Sequence, residues 1–406
     1  MITSDNSVLI IGTESDNPFA IDIGVFCRQA VDIADILSLK TFANSEFCPR
    51  FISDESDMSN IGCKLNGLTV AIVTTASNTL SRNELAMRNM LVARAAKDNG
   101  AERVVLVEPD LFFSAQDRGP LPEHGHVEFD RAENDYKKFD GQPFTSRFYG
   151  QALALAGVDS VITVHNHSRS VEKLFSDVLP DVFVNLSPAE VFAHYIRNSD
   201  VTPSLHSGDG LLVCAPDAGA RKFARQVHEH LGMSSADLLY FRKQRKDERN
   251  VSSFVDPESP CPLESIAGKD VVVFDDMVRT GNTIRECCKL LKEAGAKRVV
   301  FFVTHFYSSP EVRECLNSPA LDEIVTTNTL PSILNRDMQG RLRRKLTVLK
   351  LEKWISRHVL QYLNLDTNHL TGGDYTVDMS SKNPRWMSLA NMRVRLLTEG
   401  NPAVDE

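Results

Sequence analysis

Short runs of β-branched and other apolar residues recur along the chain, separated by longer stretches in which apolar residues return every three or four positions. The runs predict strands and the stretches predict helices. The predicted strands are SVLIIG (7–12), LTVAIVTT (68–75), RVVLVEP (103–109), SVITVH (160–165), LLVCAP (211–216), LLYFRK (238–243), DVVVFDD (270–276), RVVFFVTH (298–305) and EIVTTN (323–328). The predicted helices cover 82–98, 144–156, 219–231 and 282–295. This alternation is typical of an α/β protein with parallel sheets.

One helix-to-strand junction occurs twice. AKDNGAERVVLVEPD (96–110) and LKEAGAKRVVFFVTH (291–305) share a helix end, a Gly-Ala turn, a basic residue and a double-valine strand. The pair indicates two copies of one fold, with a boundary near residues 155–160. The alternative is a coincidence of common junctions, because glycine ends many helices.

Three segments interrupt the pattern. GPLPEHGHVEFDRAENDYKKFDG (119–141) is rich in Pro, Gly and charge, which predicts an excursion over the surface. KDERNVSSFVDPESP (246–260) is charged and expected to be mobile, and the tail from about residue 363 is irregular. Neither 119–141 nor the tail indicates any chemistry by its residue types.

Composition limits the function classes. With 406 residues, 42% hydrophobic and 24% charged, the chain has the size of about two globular domains. The first residues lack a basic n-region, and no run of ~18 apolar residues occurs, so we expect neither export nor membrane insertion. The eight cysteines show no CxxC spacing, which favours reduced core thiols and a cytoplasmic protein. A net charge of -9 gives no global attraction to nucleic acid, so local groups must hold any anionic ligand.

The stretch VVVFDDMVRTGNT (271–283) joins an apolar strand to two aspartates and then to a loop of small hydroxyl and glycine residues. At the carboxyl end of a parallel strand, such a loop directs backbone N–H groups and the positive helix end toward one point, which suits a phosphate. The carboxylates of Asp275 and Asp276 suit sugar hydroxyls or a phosphate-bound Mg²⁺. The pattern therefore predicts a sugar phosphate ligand; an acidic strand end with a helix cap is the structural alternative.

This stretch resembles the ribose 5-phosphate binding signature of the type I phosphoribosyltransferase fold, in which two acidic residues contact ribose hydroxyls and the Thr/Gly loop holds the 5-phosphate. Five further segments resemble, in the same order, those of one family with this fold, the ribose-phosphate pyrophosphokinases. They are FANSE (42–46), AQDR (115–118), VHNH (164–167), APDAGARKFA (215–224) and RKQR (242–245).

The resemblance covers about residues 7 to 360. It implies two tandem type I phosphoribosyltransferase-like domains, each a mainly parallel sheet flanked by helices. On this basis we expect an N-terminal domain at 1–157, a C-terminal domain at 158–345, and a helix with an irregular tail at 346–406.

The resemblance also implies a role for each matching residue. The ribose 5-phosphate site would comprise Asp275, Asp276, Arg279, Thr280, Gly281, Asn282 and Thr283. The ATP site would comprise Phe42, Asn44, Glu46, Gln116, Asp117 and Arg118. The pyrophosphate loop would comprise Asp217, Ala218 and Gly219, with Mg²⁺ held by His167 and Asp217. The catalytic residues would be Lys243 and Arg245.

These roles agree with the chemistry of the side chains. Arg118 offers phosphate a planar fork of donors, and Gly219 lets backbone amides approach a pyrophosphate near a positive helix end. Alternation places His165 and His167 on the same side of their strand. Because Mg²⁺ prefers oxygen ligands, Asp217 is a stronger metal candidate than His167.

The implied reaction is diphosphoryl transfer. The C1 hydroxyl of ribose 5-phosphate attacks the β-phosphorus of Mg-ATP, AMP leaves, and 5-phosphoribosyl 1-diphosphate forms. Lys243 and Arg245, which alternation aims the same way, would stabilise the charge on the transferring group, and 246–260 would close to exclude water. In the family the loop containing Phe42 reaches a neighbouring subunit, which implies a homo-oligomer built on dimers, with a hexamer among the allowed sizes.

Several positions depart from the family pattern. Ala115 replaces an arginine, Asn44 and Ser45 replace Asp-Gly, His165 replaces an aspartate, Arg279 stands where many members have aspartate, and Asn282 replaces a glycine. Loss of one phosphate-binding arginine costs about 1.5–3 kcal/mol if nothing substitutes for it. Two alternatives therefore stay open: a catalytically silent, synthetase-associated regulatory subunit, and a phosphoribosyltransferase that acts on a base.

Overall fold

The computed structural model describes residues 7–51, 56, 58–124, 131–207, 210–234, 237–245 and 251–378; for residues 206–207, 243–245 and 251–253 it describes the backbone alone. Two compact units divide these residues. The first unit contains the described residues up to Ser187, together with Thr329–Ser332 and Leu351–Asp374. The second unit contains those within Pro188–Asn328, Ile333–Lys350 and from Tyr375 onward.

The first unit has a parallel sheet and a separate hairpin. Its strands are β1 (Val8–Gly12), β2 (Leu37–Thr41), β3 (Phe47–Phe51), β4 (Thr69–Val73), β5 (Arg103–Val107), β6 (Ser160–Val164) and β7 (Phe183–Leu186). β2 and β3 form the antiparallel hairpin, and the other five pair in parallel in the order β1-β4-β5-β6-β7. The sheet strands read as continuous apolar runs because the central ones are buried on both faces.

Helices cover this sheet. They are α1 (Pro18–Phe26), α2 (Ile33–Ile36), α3 (Arg82–Asp98), α4 (Glu133–Phe139), α5 (Thr145–Ala156) and α6 (Arg169–Val178), with a later helix at Glu352–Tyr362. A capping box begins α3: the Ser81 hydroxyl accepts a hydrogen bond from the Glu84 backbone N–H, and the Glu84 carboxylate accepts one from the Ser81 backbone N–H. α5 ends at Gly157, whose φ of 102° places it in the left-handed region that favours glycine.

The second unit is built on one eight-stranded sheet. Its strands are β8 (Leu211–Ala215), β9 (Leu238–Arg245), β10 (Val251–Val255), β11 (Asp270–Val278), β12 (Arg298–Phe306), β13 (Glu323–Thr327), β14 (Leu346–Lys350) and β15 (Thr376–Val377). They lie in the order β10-β9-β8-β11-β12-β13-β14-β15. Only the outermost pairs, β10 with β9 and β15 with β14, are antiparallel.

The helices of the second unit are α7 (Ala189–Arg197), α8 (Pro203–Ser207), α9 (Arg221–Leu231), α10 (Asn282–Glu293) and α11 (Pro310–Leu316). The helix at Glu352–Tyr362, which belongs to the first unit, is α12. Short 3₁₀ turns lie at Leu263–Ile266, Pro331–Leu334 and Gly340–Arg344. Among the described residues, no helix has the length and apolar character needed to cross a membrane.

The predicted fold class is confirmed, since each unit is a mainly parallel sheet flanked by helices. All nine predicted strands and all four predicted helices are present within a few residues of their expected bounds. The division between the units differs from the expected boundary after residue 157. β6 pairs with β5 and β7 pairs with β6, so residues 158–187 complete the sheet of the first unit.

The segment 119–141 is more than a surface excursion. Its described part contains α4, and the side chain of Arg131 is only 2% exposed. The Arg131 guanidinium lies 4.3 Å from the centre of the Tyr136 ring and donates to the carbonyl of His124 at 2.6 Å. A charged residue of a polar segment is therefore buried, and its contacts join different parts of that segment.

All eight cysteines lie among the described residues as free thiols, and six of them are buried. The expected core location is confirmed for those six. Cys48 and Cys63 are instead exposed.

Candidate active site

The turn after β11 carries the predicted sugar-phosphate residues. The strand continues through the two aspartates to Val278, two residues further than expected, and Asp275 and Asp276 are half-buried within it. Pairing between β11 and β8 ends at Val273, so the β8 side of the strand is open beside the aspartates. Arg279, Thr280 and Asn282 are exposed, and Thr283 is half-buried.

Gly281 cannot be replaced without strain. Its φ is +80°, in the region that favours glycine, and it is the residue directly before α10. An added Cβ would lie 3.2 Å from the Leu316 side chain and 3.3 Å from the Cys315 sulfur. The turn is therefore packed against α11 while its other residues face solvent, which leaves the start of α10 accessible to an anion.

The predicted pyrophosphate loop follows β8, the strand next to β11. Asp217 Oδ1 accepts a hydrogen bond from the backbone N–H of Ala220 at 3.2 Å, which fixes the loop before α9 begins. Ala218 and Gly219 are exposed at the tip. Because β8 and β11 are parallel neighbours, the two loops leave the same edge of the sheet.

A buried thiol lies behind the two loops. The pKa of Cys287, on α10, is raised well above its ordinary value by a hydrogen bond with Cys214, by burial, and by the negative charges of Asp217 and Asp275. Carboxylates from both segments, Asp217 after β8 and Asp275 within β11, thus act on the same sulfur. The structure brings together the two loops that the sequence separates by almost sixty residues.

Lys243 and Arg245 lie on β9, which runs beside β8 and extends past its end. Their backbone partners on β10 are Ser253 and Val251. The side chains of both residues lie outside the described part of the structure, and so do residues 246–250 of the segment predicted to close. The catalytic roles of these two residues remain predictions.

The predicted adenine-binding segment forms the turn of the β2–β3 hairpin. Phe42 is 43% exposed, and Lys40 Nζ lies 5.0 Å from the centre of its ring. Asn44 Oδ1 accepts a hydrogen bond from the backbone N–H of Glu46 at 3.2 Å. Ser45, at the position where the resembling family has glycine, has a φ of +70°, so the turn keeps the backbone that a glycine there would favour.

The Gln-Asp-Arg segment is structured differently from a solvated loop. Gln116 is exposed and Asp117 is buried. Arg118 Nη1 donates to Asp135 Oδ1 of α4 at 2.9 Å, and its guanidinium lies 4.9 Å from the centre of the Phe139 ring. The insertion therefore supplies a carboxylate to the arginine predicted to bind ATP phosphates, a contact that sequence reasoning missed.

The backbone at the predicted metal histidine differs from the expected strand, while the metal assignment itself remains a prediction. β6 ends at Val164 and His165 has a φ of +46°, so strand alternation does not extend to His165 and His167, and His167 is exposed. His167 belongs to the first unit and Asp217 to the second. Among the described residues, no group of three or more His, Cys, Asp and Glu side chains could hold a metal ion. The half-buried oxygen donors of Asp217 and Asp275 suit Mg²⁺ that arrives with nucleotide phosphates, since this ion usually takes one or two carboxylates.

Two buried carboxylates near the strand ends were not predicted. Glu108 follows β5 and contacts Asn89 Nδ2 at 3.2 Å, while Asn89 also contacts Thr74 at 2.6 Å and Tyr149 at 3.0 Å. Burial is the main reason why the pKa of Glu108 is raised to about 8. Asp256 follows β10 and pairs with two arginines. Glu108 breaks the apolar run RVVLV, a signal that sequence reasoning could have used.

Comparisons with known proteins agree with this geometry. Residues 195–318 match the family model described as the phosphoribosyl transferase domain. The crystal structure of phosphoribosylpyrophosphate synthetase from Mycobacterium smegmatis covers 88% of this chain and 100% of its own, with a TM-score of 0.65 and 22% identity. The fold class is therefore that of the phosphoribosyltransferases.

Two curated relatives define the family. A ribose-phosphate pyrophosphokinase from Thermococcus kodakarensis is 30% identical over 271 residues, which cover 67% of this chain and 81% of the relative. A ribose-phosphate pyrophosphokinase from Corynebacterium efficiens is 28% identical over 296 residues, which cover 73% of this chain and 77% of the relative. The chain belongs to the ribose-phosphate pyrophosphokinase family, a family of enzymes.

Proposed function

We propose that this protein transfers the diphosphoryl group of Mg-ATP to the C1 hydroxyl of ribose 5-phosphate, giving 5-phosphoribosyl 1-diphosphate and AMP for nucleotide biosynthesis. One observation carries the proposal: the loop Asp217–Gly219 and the turn Arg279–Gly281 leave neighbouring parallel strands at one sheet edge. Such an edge is where open α/β sheets bind their ligands. Family membership narrows the ligands to a sugar phosphate and a nucleotide.

The turn after β11 binds ribose 5-phosphate in this proposal. The backbone N–H groups at the start of α10, with the Thr280 and Thr283 hydroxyls, receive the 5-phosphate. Arg279 and Asn282 lie at the exposed mouth of the turn. Asp275 and Asp276 accept hydrogen bonds from ribose hydroxyls, which places the C1 oxygen toward the loop that follows β8.

That neighbouring loop, Asp217 to Gly219, receives the diphosphoryl group. The C1 oxygen attacks the β-phosphorus, the bond from that phosphorus to the AMP oxygen breaks, and the hydroxyl proton passes to solvent. Lys243 and Arg245 neutralise the charge that develops during transfer, so positioning and electrostatics suffice without a covalent enzyme intermediate. Asp217 and Asp275, in addition to the predicted His167, are the candidate ligands that would hold Mg²⁺ arriving with ATP, and the ion would supply Lewis-acid stabilisation of the phosphate oxygens.

Residues of the first unit bind the nucleotide. Phe42 offers an exposed ring on which adenine can pack, and Asn44 and Glu46 form hydrogen bonds with the polar edge of the adenine. Gln116, Asp117 and Arg118 line the part of the site that holds the ATP phosphates. Because the hairpin turn of this family reaches a neighbouring subunit, we place the active protein in a homo-oligomer built on dimers. We place it in the cytoplasm without a nucleic-acid or membrane partner; the net charge of -9 and the free thiols support that assignment.

One observation favours a second function. Asp135 already pairs with Arg118, and Ala115 stands where the resembling family has another arginine. A chain with weakened ATP binding would suit a regulatory subunit that assembles with an active synthetase. A transferase acting on a base is less well supported, because its reaction gives no role to the first unit.

The experiment is to incubate the purified protein with Mg-ATP and ribose 5-phosphate and to quantify AMP by chromatography, omitting each substrate in turn. The proposal predicts AMP only when both substrates are present. A folded protein that forms no AMP, but raises the activity of an added synthetase, would support the regulatory function instead.

A further inference from the structure

A buried carboxylate in the second unit binds two arginines at once. The Asp256 side chain has no exposed surface. Its Oδ2 accepts from Arg221 Nη2 and from Arg242 Nε, the latter at 2.8 Å. Its Oδ1 accepts from the backbone N–H of Glu258 at 2.8 Å. The carboxylate therefore has a defined donor on each oxygen.

The three residues of this cluster come from different segments. Arg221 is the first residue of α9, which follows the loop Asp217–Gly219. Arg242 lies on β9, next to Lys243 in sequence. Asp256 follows the last residue of β10, and its backbone N–H donates to the carbonyl of Tyr240 at 2.8 Å. The cluster thus joins the start of α9 to the hairpin of β9 and β10.

Further contacts hold Arg221 in place. Its guanidinium lies 5.4 Å from the centre of the Tyr240 ring, and its Nη1 donates to Glu258 Oε2 at 3.1 Å. Tyr240 is itself buried on β9, and its hydroxyl lies 3.4 Å from Arg225 of α9. The link between α9 and β9 therefore involves ion pairs and aromatic packing.

The cluster is ionised at neutral pH. Burial acts to raise the pKa of Asp256, but the Glu258 backbone N–H and the charges of Arg221 and Arg242 outweigh it and hold that pKa below its ordinary value. A buried ion pair contributes little net stability compared with apolar residues of the same volume. What it does provide is a fixed geometry, since each donor has one position relative to the carboxylate.

We propose that Asp256 is a positioning residue: through Arg221 and Arg242 it sets the strand that carries Lys243 and Arg245 relative to the loop Asp217–Gly219. This inference rests on the proposed function, which places the transferring diphosphoryl group between that loop and that strand. A displacement of about 1 Å between reacting groups can reduce a rate about a hundredfold. The cluster keeps these two segments in register around the transferring group without contacting that group itself.

The test compares Asp256→Asn and Arg242→Met with wild type. Asp256→Asn should lower kcat about a hundredfold and Arg242→Met about tenfold, with the KM values for ATP and ribose 5-phosphate within about twofold, because substrate-contacting residues are untouched. Arg343→Met is the matched control: Arg343 pairs with the exposed Asp337 at 3.4 Å in the same unit. Its kcat should equal that of wild type.

A normal kcat in a folded Asp256→Asn or Arg242→Met variant overturns the proposal, and so does a rise in KM without loss of kcat. If Asp256→Asn does not fold, as judged by circular dichroism, Arg242→Met decides alone, because Arg242 is 51% exposed and its loss opens no cavity.

Hydrogen exchange separates this proposal from the proposed function. Asp256→Asn should speed amide exchange in peptides from β9 and from the start of α9, and leave β12 unchanged. If wild type itself releases no AMP, the proposed function fails, and exchange then decides whether Asp256 holds the segments. Unchanged exchange in β9 rejects the positioning role, whereas faster exchange confined to β9 and α9 supports it.

Discussion

The two units use polar residues differently at the carboxyl edges of their sheets. In the first unit, Thr13, Thr74, Asn89 and Glu108 are fully buried and linked in one chain, with Thr13 and Thr74 joined at 3.1 Å and Asn89 and Glu108 at 3.2 Å. In the second unit, the residues that follow β8 and β11 are exposed at the tips of two loops, whereas Thr327 and Asn328 at the end of β13 are fully buried. The first edge is filled with side chains after β1, β4 and β5, and the second edge is open after β8 and β11.

The difference indicates which edge performs chemistry. A buried polar group must be paired within the protein, because leaving it unpaired costs about 1–3 kcal/mol. Such a network stabilises the fold and leaves few donors for a ligand. Exposed hydroxyls, amides and glycines at a helix start have no comparable structural reason, so they suit ligand binding. The difference supports the proposal that phosphate transfer takes place at the second unit's edge after β8 and β11, with the first unit binding the nucleotide.

The strongest test removes the predicted catalytic cation. Lys243→Ala should lower kcat about a hundredfold to a thousandfold, on the order of 3–4 kcal/mol, because it meets charge that grows only during transfer. Melting temperature and ATP affinity should stay close to those of wild type. Steady-state kinetics and thermal melts measure both.

Lys289→Ala is the control, since Lys289 forms an exposed pair with Glu293 at 3.8 Å on α10. Normal turnover in the Lys243→Ala protein would show that Lys243 is an ordinary surface lysine. A Lys243→Ala protein that fails to fold would show that Lys243 has a structural role.

The next effect concerns the sugar site. Asp276→Asn should raise the ribose 5-phosphate concentration needed for half-maximal rate by about tenfold or more, since hydrogen bonds to a charged group are worth about 1.5–3 kcal/mol. The ATP requirement should change less than about twofold. Glu293→Gln, on the exposed face of α10, is the matched control. Equal changes for both substrates would contradict the assignment of the open edge to ribose 5-phosphate.

The buried edge of the first unit predicts a pH dependence of stability. The pKa of Glu108 is raised by burial to about 8, whereas in an unfolded chain a glutamate has a pKa of about 4.3. Between these values the folded protein keeps a proton that the unfolded chain has released. The stability from this proton is full at low pH and is lost as pH rises through the window.

Glu108→Gln should remove that slope, which is on the order of 1 kcal/mol per pH unit. Urea unfolding at pH 5.5, 6.5 and 7.5 measures it, with the exposed Glu102→Gln as a control that should retain the wild-type slope. Parallel curves for wild type and Glu108→Gln would mean that Glu108 is ionised when folded.

The smallest effect tests whether the first unit also restrains ATP binding. Asp135 competes with phosphate for Arg118, so Asp135→Asn should lower the ATP concentration for half-maximal rate by about twofold to fivefold. The control is Asp140→Asn, which removes only an exposed pair with Lys137. A higher ATP requirement would instead show that Asp135 orients Arg118 for its ligand.

The sequence predicted the parallel sheets because their strands are continuous apolar runs, such as β11 and β12. It missed six of the fifteen described strands, β2, β3, β7, β10, β14 and β15. Asn185 interrupts β7, and Ser252 and Ser253 interrupt β10. The residues that a strand needs depend on its neighbours, so edge strands can form with fewer apolar residues than central strands. Their existence depends on a partner that no local pattern reveals.

The local backbone at the predicted site residues could be recognised to a similar extent, while their roles remain predictions. The turn at Thr280–Thr283 could be recognised because its residue types are needed locally, and Gly281 indeed has a positive φ. The contacts Arg118–Asp135 and Arg221–Asp256 could not, because their members are far apart in sequence and look like ordinary surface charges. At His165 a local pattern was misleading: the alternation of side chains was extended to His165, but the strand ends one residue earlier, at Val164.

The most direct test of the central claim follows the β-phosphorus itself. Protein mixed with Mg²⁺, ribose 5-phosphate and ATP labelled at the β-phosphorus should place the label in a sugar diphosphate, with one AMP formed for each sugar labelled. The Lys243→Ala protein should form both products about a hundredfold to a thousandfold more slowly. Label that appears in ADP or in free pyrophosphate, or a folded wild-type protein that moves no label, would contradict diphosphoryl transfer at the open edge of the second unit.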